Sequence, residues 1–236
     1  TATTIALTLR GFDPIIAVTL TPDDAFVLKQ IPLFILLGVL CGLMAYYFTS
    51  VNARVGKLFG SIQSQYKKWA LGGIILGVLI FIFPPLYGEG YEAFVSLMHG
   101  QATALFDNSL FYKFSSNDWV LLIYVIAIMF FKVIAMSTTN AAGGVGGTFA
   151  PSLFVGAFMG ATVALAFNTI FGWHLSLVSY TLVGMAGVMS GVMKAPLTSI
   201  FLIAELSNGY GLFIPLMIVA CISFAVNYYL DPDSIY

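Results

Sequence analysis

The sequence predicts an all-α, polytopic membrane protein built from tilted and discontinuous helices. Of the 236 residues, 60% are hydrophobic and only 8% are charged, whereas a soluble domain carries about 25% charged residues. Because so few charges cannot cover an aqueous surface, lipid must surround most of the chain. The 23 glycines and 9 prolines are typical of membrane helices that pack closely or are interrupted.

Apolar runs separated by breaks give the expected order of the helices. The longest run spans Ile31 to Ser50, and an amphipathic stretch extends from it to about Gly60. The other runs occupy residues 1–9, 69–83, 119–136, 151–171, 175–193, 195–206 and 211–230. Several of them are shorter than the roughly 20 residues that span a bilayer. Short runs interrupted by glycine indicate broken helices around a midplane binding site, although buried re-entrant helices would give the same pattern.

The charges between these runs predict how the helices are oriented. The segment between the second and third runs contains no acid and four basic side chains, Arg54, Lys57, Lys67 and Lys68. By the positive-inside rule, this segment faces the cytoplasm. The acidic connection from Pro84 to Asp118 is then expected outside, as is the segment from Gly11 to Gln30 one crossing earlier. The three assignments alternate, as they must in a chain that crosses the membrane repeatedly.

Composition and residue spacing exclude several classes of function. The net charge of −1 gives no basis for nucleic-acid binding. Cys41 and Cys221 both lie in apolar runs, and we interpret them as small apolar side chains rather than a disulfide pair. His99 and His174 are isolated in predicted loops. We therefore expect neither a metal site nor a cofactor.

A glycine-rich break, residues 140–152, is the segment most suited to binding a ligand. It stops one helix and starts another near Pro151, whose φ is already helical. The amides of Thr148, Phe149 and Ala150 therefore precede a helix whose first N–H groups have no partner within it. The helix dipole adds about half a positive charge there, so an anion can bind and still leave. Spacing alone is equally consistent with a glycine hinge that binds nothing.

Small residues spaced four apart predict close helix packing elsewhere. Gly156 and Gly160 form one such pair, and Gly187 and Gly191 form another. Because small residues let helix backbones approach each other, we interpret both pairs as packing devices where helix termini converge.

The glycine-rich break also carries a family resemblance. The stretch Gly147-Thr-Phe-Ala-Pro151 resembles the G-x-F-x-P signature of the CLC chloride channels and chloride/proton exchangers. Residues 184–198, GMAGVMSGVMKAPLT, resemble the glycine-rich helix and the (R/K)APLT helix start of that family. Further matching segments follow in the family's order at residues 203–206, 210–215 and 231–236, the last being similar to its final tyrosine motif. The resemblance is looser over residues 1–129, where the order of the runs and Tyr87-Gly-Glu-Gly90 carry it.

The resemblance implies a fold and a site. Residues 1–236 would form the C-terminal half of a CLC-type transmembrane domain, which is half of an inverted-repeat fold, cut at both ends and without the N-terminal half. The backbone amides of Thr148 and Phe149 and the hydroxyl of Tyr236 would bind the central anion. The loop and helix start of this site would be formed by Gly146, Gly147, Ala150 and Pro151.

The resemblance also implies ligands, partners and a location. It implies transport of chloride and similar anions, as a voltage-gated-type channel or as a Cl⁻/H⁺ antiporter. Chloride, protons and the lipid bilayer are the expected partners, in a homodimer of an inner or plasma membrane with residues 195–206 and 211–228 at the dimer face. The family's gating and proton-transfer glutamates and its serine motif belong to the N-terminal half. Channel and exchanger therefore both stay open, and this stretch is not expected to transport alone.

Other functions were weighed against chloride transport. Another secondary transporter with broken helices would bind a small organic anion by the same helix-terminus physics. The fluoride-exporting branch of the family typically departs from the tyrosine motif, which this chain keeps at Tyr236. An enzyme would need a nucleophile, a metal cluster or an acid–base pair at membrane depth, and the apolar regions offer one acid, Glu205. No enzymatic activity is expected.

Three charged side chains within or beside apolar runs have competing interpretations. Lys132 is the only charge in residues 119–136, and it either adds positive potential to the anion path, snorkels, or pairs with an acid elsewhere. Glu205 is expected to accept backbone N–H bonds in the following turn rather than to relay protons. Lys194 directly precedes a predicted helix start and is expected to anchor the chain at the membrane interface.

Overall fold

The computed structural model describes residues 28–88, 90–99, 101–106, 109, 111–112, 117–207 and 211–232. Within these ranges the chain consists of α-helices and short 3₁₀ turns, without a β-strand. The predicted all-α fold class is therefore confirmed. The apolar run at residues 1–9 lies outside the described ranges, and a helix there stays a prediction.

The described part of the chain contains eight α-helices. They are α1 Ile31–Gly60, α2 Gln65–Ile82, α3 Tyr91–Met98, α4 Asp118–Ala141, α5 Phe149–Phe171, α6 Leu177–Met193, α7 Pro196–Leu206 and α8 Phe213–Leu230. Short 3₁₀ turns cover Leu28–Gln30, Pro84–Leu86 and Ala102–Phe106. Each predicted apolar run from Ile31 onward corresponds to one helix. Helix α3 was not predicted, because eight residues are too few to show a helical period.

Helix length separates helices that are long enough to cross a membrane from an enclosed shorter one. By length and composition, α1, α2, α4, α5 and α8 are long and apolar enough to cross a membrane. Helix α6 has 17 residues, so it is about 26 Å long, which is less than the roughly 30 Å of a hydrocarbon core. Every residue of α6 from Ser179 to Val192 is buried, so protein surrounds this helix. The enclosed short helix α6 agrees with the predicted discontinuous architecture.

Helices α5 and α6 approach so closely that their contact requires glycine. A Cβ added to Gly156 would lie 2.5 Å from the carbonyl oxygen of Gly184. A Cβ on Gly184 would in turn lie 2.7 Å from the amide nitrogen of Gly160, and one on Gly160 would overlap the backbone of Tyr180. The predicted packing role of Gly156 and Gly160 is confirmed, and we name their contact with Gly184 the glycine seam.

Helix α6 also packs against α1 and α8. A Cβ on Gly187 would lie 2.8 Å from Cys41 Sγ, and one on Gly191 would lie 2.5 Å from Ala45 Cβ. The second glycine pair therefore also permits close packing, as predicted. Cys41 is buried and unbridged, which agrees with its interpretation as an apolar side chain.

Helix α2 lies at the edge of the molecule. Among its residues Gly72 alone is buried, where a Cβ would lie 2.6 Å from Ala142 Cβ at the end of α4. The side chains of Trp69, Ile74 and Phe81 are more than half exposed. Apolar side chains left uncovered along a helix of this length are suited to contact with lipid.

The connection between α2 and α4 folds back onto α4 through aromatic rings. Phe106 stacks on Tyr124 with ring centroids 4.8 Å apart, and the ring of Phe83 lies 5.6 Å from that of Tyr124. These contacts hold the Pro84–Leu86 turn beside α4. The turn's carbonyl groups thereby come within reach of α4 side chains.

Candidate functional site

The glycine-rich break forms the end of α4, an open loop and the start of α5, as predicted. The chain turns away from α4 at Gly143, whose φ of +99° favours glycine. The amides of Gly143 and Gly144 donate to the carbonyl oxygens of Asn140 and Thr139 at 3.2 and 2.9 Å, which closes the last turn of α4. Residues 143–147 are exposed, so the loop leaves the following helix start uncovered.

Helix α5 begins two residues earlier than the sequence suggested, at Phe149 rather than at Pro151. Thr148 occupies the N-cap position, and its carbonyl oxygen accepts a bond of 3.0 Å from the amide of Ser152. Pro151 is tolerated as the third helical residue, because the N–H groups of the first turn have no partner within the helix in any case. The predicted amides of Phe149 and Ala150 therefore belong to the first turn.

The start of α5 is accessible from outside the packed helices. The Phe149 side chain is 44% exposed, while Thr148 is buried at 8%. The first turn contains no acidic side chain that would compete with an anion. The first-turn amides and the positive end of the helix dipole thus lie beside an exposed loop, an arrangement that suits an anion.

Asn140 borders the loop and was missed by sequence reasoning. A Cβ on Gly146 would lie 2.6 Å from its Oδ1 atom, so Gly146 passes close to this side chain. That oxygen is buried and has no hydrogen-bond partner among the described residues. The Nδ2 group lies 3.3 Å from Met136 Sδ. A polar residue in the last turn of an apolar helix, just before a glycine run, was the available signal.

The structure brings together six of the seven predicted site residues. Gly146 to Pro151 form one continuous loop and helix start. Tyr236 lies outside the described residues, whose last member is Pro232. The pairing of Tyr236 with the start of α5 therefore stays a prediction.

Lys132 connects α4 to the segment that follows α2. It is only 3% exposed, and its ammonium group donates to the carbonyl oxygens of Leu86 and Gly88 at 3.2 and 2.8 Å. The same Nζ lies 4.5 Å from the centre of the Phe154 ring in α5. Burial rules out the snorkelling interpretation, because a snorkelling lysine keeps its charge at the interface. The ammonium is placed near the beginning of α5.

The structure describes different surroundings for the two remaining charged residues, Glu205 and Lys194. Glu205 lies exposed in the last turn of α7, and residues 208–210 of the turn that would donate to it lie outside the described ranges. Its role therefore stays a prediction. Lys194 is partly buried, and its Nζ donates to the carbonyl oxygen of Asp231 at 2.7 Å. The role of Lys194 as a membrane-interface anchor also stays a prediction.

Metal ligands are not clustered in the part of the chain that the structure describes. No group of three histidine, cysteine, aspartate or glutamate side chains there is close enough to hold an ion. Cys41 and Cys221 are both free thiols, one buried and one exposed.

Comparison with known proteins identifies relatives over nearly the whole chain. The family profile described as "Voltage gated chloride channel" matches residues 1–228. Chloride channel protein CLC-e of Arabidopsis thaliana is 30% identical over 203 residues, which are 80% of this chain and 27% of the relative. The H(+)/Cl(-) exchange transporter ClcA of Salmonella paratyphi B is 29% identical over 219 residues, which are 90% of this chain and 42% of the relative. The chain thus spans less than half the length of these relatives.

Two solved structures share the fold. The crystal structure of a slow cyanobacterial Cl⁻/H⁺ antiporter superposes with a TM-score of 0.72 at 25% identity, covering 99% of this chain and 52% of that chain. A CLC-type fluoride/proton antiporter superposes with a TM-score of 0.70 at 18% identity, again over 99% and 52% of the two chains. The profile match alone covers far more than half of the sequence, and it agrees with the G-x-F-x-P stretch at the start of α5. The chain is part of an integral membrane protein and belongs to the voltage-gated chloride channel family, the CLC proteins.

Proposed function

We propose that this chain supplies the anion-binding C-terminal half of a membrane domain that transports chloride and similar anions. The start of α5 is the observation that carries the proposal. An exposed glycine loop leads to Thr148 at the N-cap and to the amides of Phe149 and Ala150 in a first turn without acids. The hydroxyl of Tyr236 would add a neutral donor to the same ion.

Oriented amides suit an ion that has to leave again. A helix N-terminus offers about half a positive charge, whereas a lysine in direct contact would offer a full one and would slow release. Lys132 would add positive potential from behind the first turn, because the carbonyl groups of Leu86 and Gly88 hold its ammonium group. In this arrangement amides contact the anion while the full positive charge of Lys132 stays at a distance. It supports transport of the anion rather than tight binding of it.

The names of the relatives support chloride as the ion. One is named a chloride channel and another an H(+)/Cl(-) exchange transporter. The fluoride/proton antiporter is 18% identical and supports the shared fold alone. An anion site at a helix start serves conduction and proton-coupled exchange equally well, so the proposal includes both.

We further propose that the complete protein is a homodimer in an inner or plasma membrane, without a cofactor and without enzymatic activity. Helices α7 and α8 support the dimer, because they leave large apolar side chains uncovered. Phe201, Ile214 and Met217 are 53%, 54% and 45% exposed in the single chain. An uncovered apolar surface of this kind is suited either to lipid or to a second subunit.

The site is tested by removing its two side-chain contributions in the complete protein. Tyr236→Phe deletes the hydroxyl, and we expect about tenfold weaker chloride binding, because a hydrogen bond to a charged group is lost. Phe149→Ala removes the ring beside the amides, and we expect a changed ratio of chloride to nitrate flux. Isothermal titration with chloride and anion flux from liposomes measure the two effects.

Tyr66→Phe and Phe81→Ala are the matched controls, because both side chains are exposed on α2, far along the chain from α5. Neither control should alter chloride affinity or the flux ratio. If Tyr236→Phe and Phe149→Ala behave like these controls, the anion does not bind at this site. A preference for acetate over chloride in the unaltered protein would instead indicate a transporter of small organic anions.

A further inference from the structure

Four basic side chains surround the turn between α1 and α2. Arg54 and Lys57 lie in the last two turns of α1, and Lys67 and Lys68 lie in the first turn of α2. Because a helix rises about 1.5 Å per residue, each of them is within about 9 Å of its helix end along the axis. The sequence contains no acidic residue from position 51 to position 83. We name these four side chains the basic corner.

The basic corner is accessible and its charge is not neutralised locally. Arg54, Lys57 and Lys67 are exposed, and Lys68 is half-buried. None of the four side chains forms an ion pair among the described residues. Four positive charges therefore face outward together, which favours a partner with negative charge.

The turn that carries these charges is held in place. The amide of Ile62 donates to the carbonyl oxygen of Phe59 at 3.1 Å, and the amide of Lys68 donates to that of Ser64 at 3.2 Å. The Phe59 side chain is buried, and its ring lies 3.8 Å from the position of a Cβ added to Gly72. The end of α1 thus contacts α2, and the charges on the two helix ends stay close together.

An apolar stripe on α2 continues from the basic corner. Its members follow Lys67 at spacings of three or four residues, so they lie on the same face of the helix. They are 42–72% exposed and comprise Leu71, Ile74, Val78 and Phe81. The distance along the axis from Lys67 to Phe81 is about 21 Å, which exceeds the roughly 15 Å of one leaflet of the hydrocarbon core. A lysine followed by such a stripe matches a lipid, which joins a headgroup to long apolar tails.

Two aromatic rings mark the boundary between the basic corner and the apolar stripe. Tyr66 and Trp69 are 79% and 52% exposed. Their ring centroids lie 5.7 Å apart in an edge-to-face arrangement. Tyrosine and tryptophan are enriched where a membrane meets water. The first turn of α2 is therefore at the level of the lipid headgroups.

We propose that the basic corner and the apolar stripe of α2 form a binding site for an anionic phospholipid. The headgroup phosphate lies at the basic side chains, and an acyl chain lies along the stripe. Clusters of four or more lysine and arginine residues beside a membrane helix attract anionic headgroups. By the predicted orientation, the lipid belongs to the cytoplasmic leaflet. The stripe favours a lipid over a soluble phosphate or an acidic protein segment, neither of which has tails to cover it.

The site is tested by titrating the complete protein in detergent with lipid and counting bound lipids by native mass spectrometry. Phosphatidylglycerol and phosphatidylcholine with identical acyl chains are compared, since only the first has a net negative charge. We expect phosphatidylglycerol to bind about tenfold more tightly to the unaltered protein. Equal affinities would overturn the proposal, and this comparison does not depend on any variant.

Variants then assign the headgroup to the basic corner. Each charge removed should weaken phosphatidylglycerol binding about fivefold, so Lys67→Gln combined with Lys68→Gln should weaken it about 25-fold. Replacing both lysines by arginine keeps the charges and should keep the affinity. Lys29→Gln is the matched control, because Lys29 is exposed at the other end of α1, about 40 Å from Lys57. If the control weakens binding as much as the double variant, the basic corner is not the site.

A change in the stripe tests the position of the acyl chain. Ile74→Gln places a polar side chain in the stripe and should weaken the binding of both lipids about fivefold, because the tails are the same. Unchanged binding of both would mean that no acyl chain lies there, against the proposal.

Two further ligands separate the lipid from other sources of negative charge. If free glycerol phosphate binds as tightly as phosphatidylglycerol, the basic corner binds a soluble phosphate. If a glutamate-rich peptide binds there more tightly than phosphatidylglycerol, the occupant is an acidic protein segment. Either result would overturn the proposal. Weak binding of both, with tight binding of phosphatidylglycerol, would support it.

Discussion

Glycine serves two neighbouring regions of this molecule in opposite ways. In the loop before α5, residues 143–147 are exposed and leave the first helical amides uncovered. In the glycine seam, Gly156, Gly160 and Gly184 are buried and bring the backbones of α5 and α6 together. The same missing side chain opens the surface in one place and closes the interior in the other.

The comparison teaches that the energetic role of a glycine follows from its neighbours. The seam lacks room for one further carbon atom, so its glycines contribute to stability through packing. Gly147 has no heavy atom closer to its would-be Cβ than the amide nitrogen of Phe149 at 4.0 Å. A side chain at position 147 would have space, but it would lie in front of the Phe149 amide, a proposed donor to the anion. Substitutions in the two regions should therefore change different measured quantities.

The largest expected effect is a loss of stability on changing the seam. In Gly160→Ala the new methyl group overlaps the backbone of Tyr180, and neither backbone can move without separating α5 from α6. We expect a destabilisation of about 3 kcal/mol, the upper part of the range for overpacked cores. The melting temperature of the detergent-solubilised protein measures it. An unchanged melting temperature would mean that the two helices are further apart than described.

A middle-sized effect on binding is expected in the loop. In Gly147→Ala the methyl group occupies the approach to the Phe149 amide, and we expect about tenfold weaker chloride binding with an unchanged melting temperature. Chloride titration and thermal unfolding measure the two quantities together. Gly56→Ala in α1 is the control for chloride affinity, since a Cβ there meets nothing within 4 Å. If Gly147→Ala lowers the melting temperature and leaves chloride affinity unchanged, Gly147 contributes to packing, as the seam glycines do, and not to anion binding.

The smallest effect is expected on α2, whose apolar side chains are mostly exposed. In Gly77→Ala of α2 the methyl group meets no atom within 4 Å, so the gain in helix propensity should raise stability by about 0.5–1 kcal/mol. Chloride affinity should not change. Thermal unfolding of this variant beside Gly160→Ala measures the contrast. A marked loss of stability would show that α2 packs against protein rather than lipid at this position.

Much of the helix order could be predicted because lipid imposes a simple rule on sequence. A buried or lipid-facing helix must be apolar along its length, so runs such as Ile31–Gly60 and the run closed by Pro84-Pro85 are visible without a structure. Helix α3 escaped prediction because Tyr91–Met98 is short and lies in a polar connection. The start of α5 was predicted two residues too late. Proline fits any position of a first helical turn, so it does not mark the first helical residue.

The candidate site was predicted in part. The glycine loop and the amides at Thr148 and Phe149 follow from local sequence, since helix starts are local structures. The place of Asn140 beside Gly146 and of Lys132 beneath the Leu86 and Gly88 carbonyls depends on how the chain folds back on itself. Lys132 and Leu86 are 46 residues apart, and no spacing rule connects residues at that separation.

By itself, the sequence determined the all-α membrane class, the order of the long helices and the helix start that would face an anion. These follow from hydropathy and from glycine and proline, whose effects act within a few residues. The tertiary structure decided that α6 is the enclosed helix, that Gly160 meets Tyr180, and that Lys194 reaches Asp231. Those contacts depend on distances between separate helices, which side-chain volume and hydrogen bonding set only once the helices are packed.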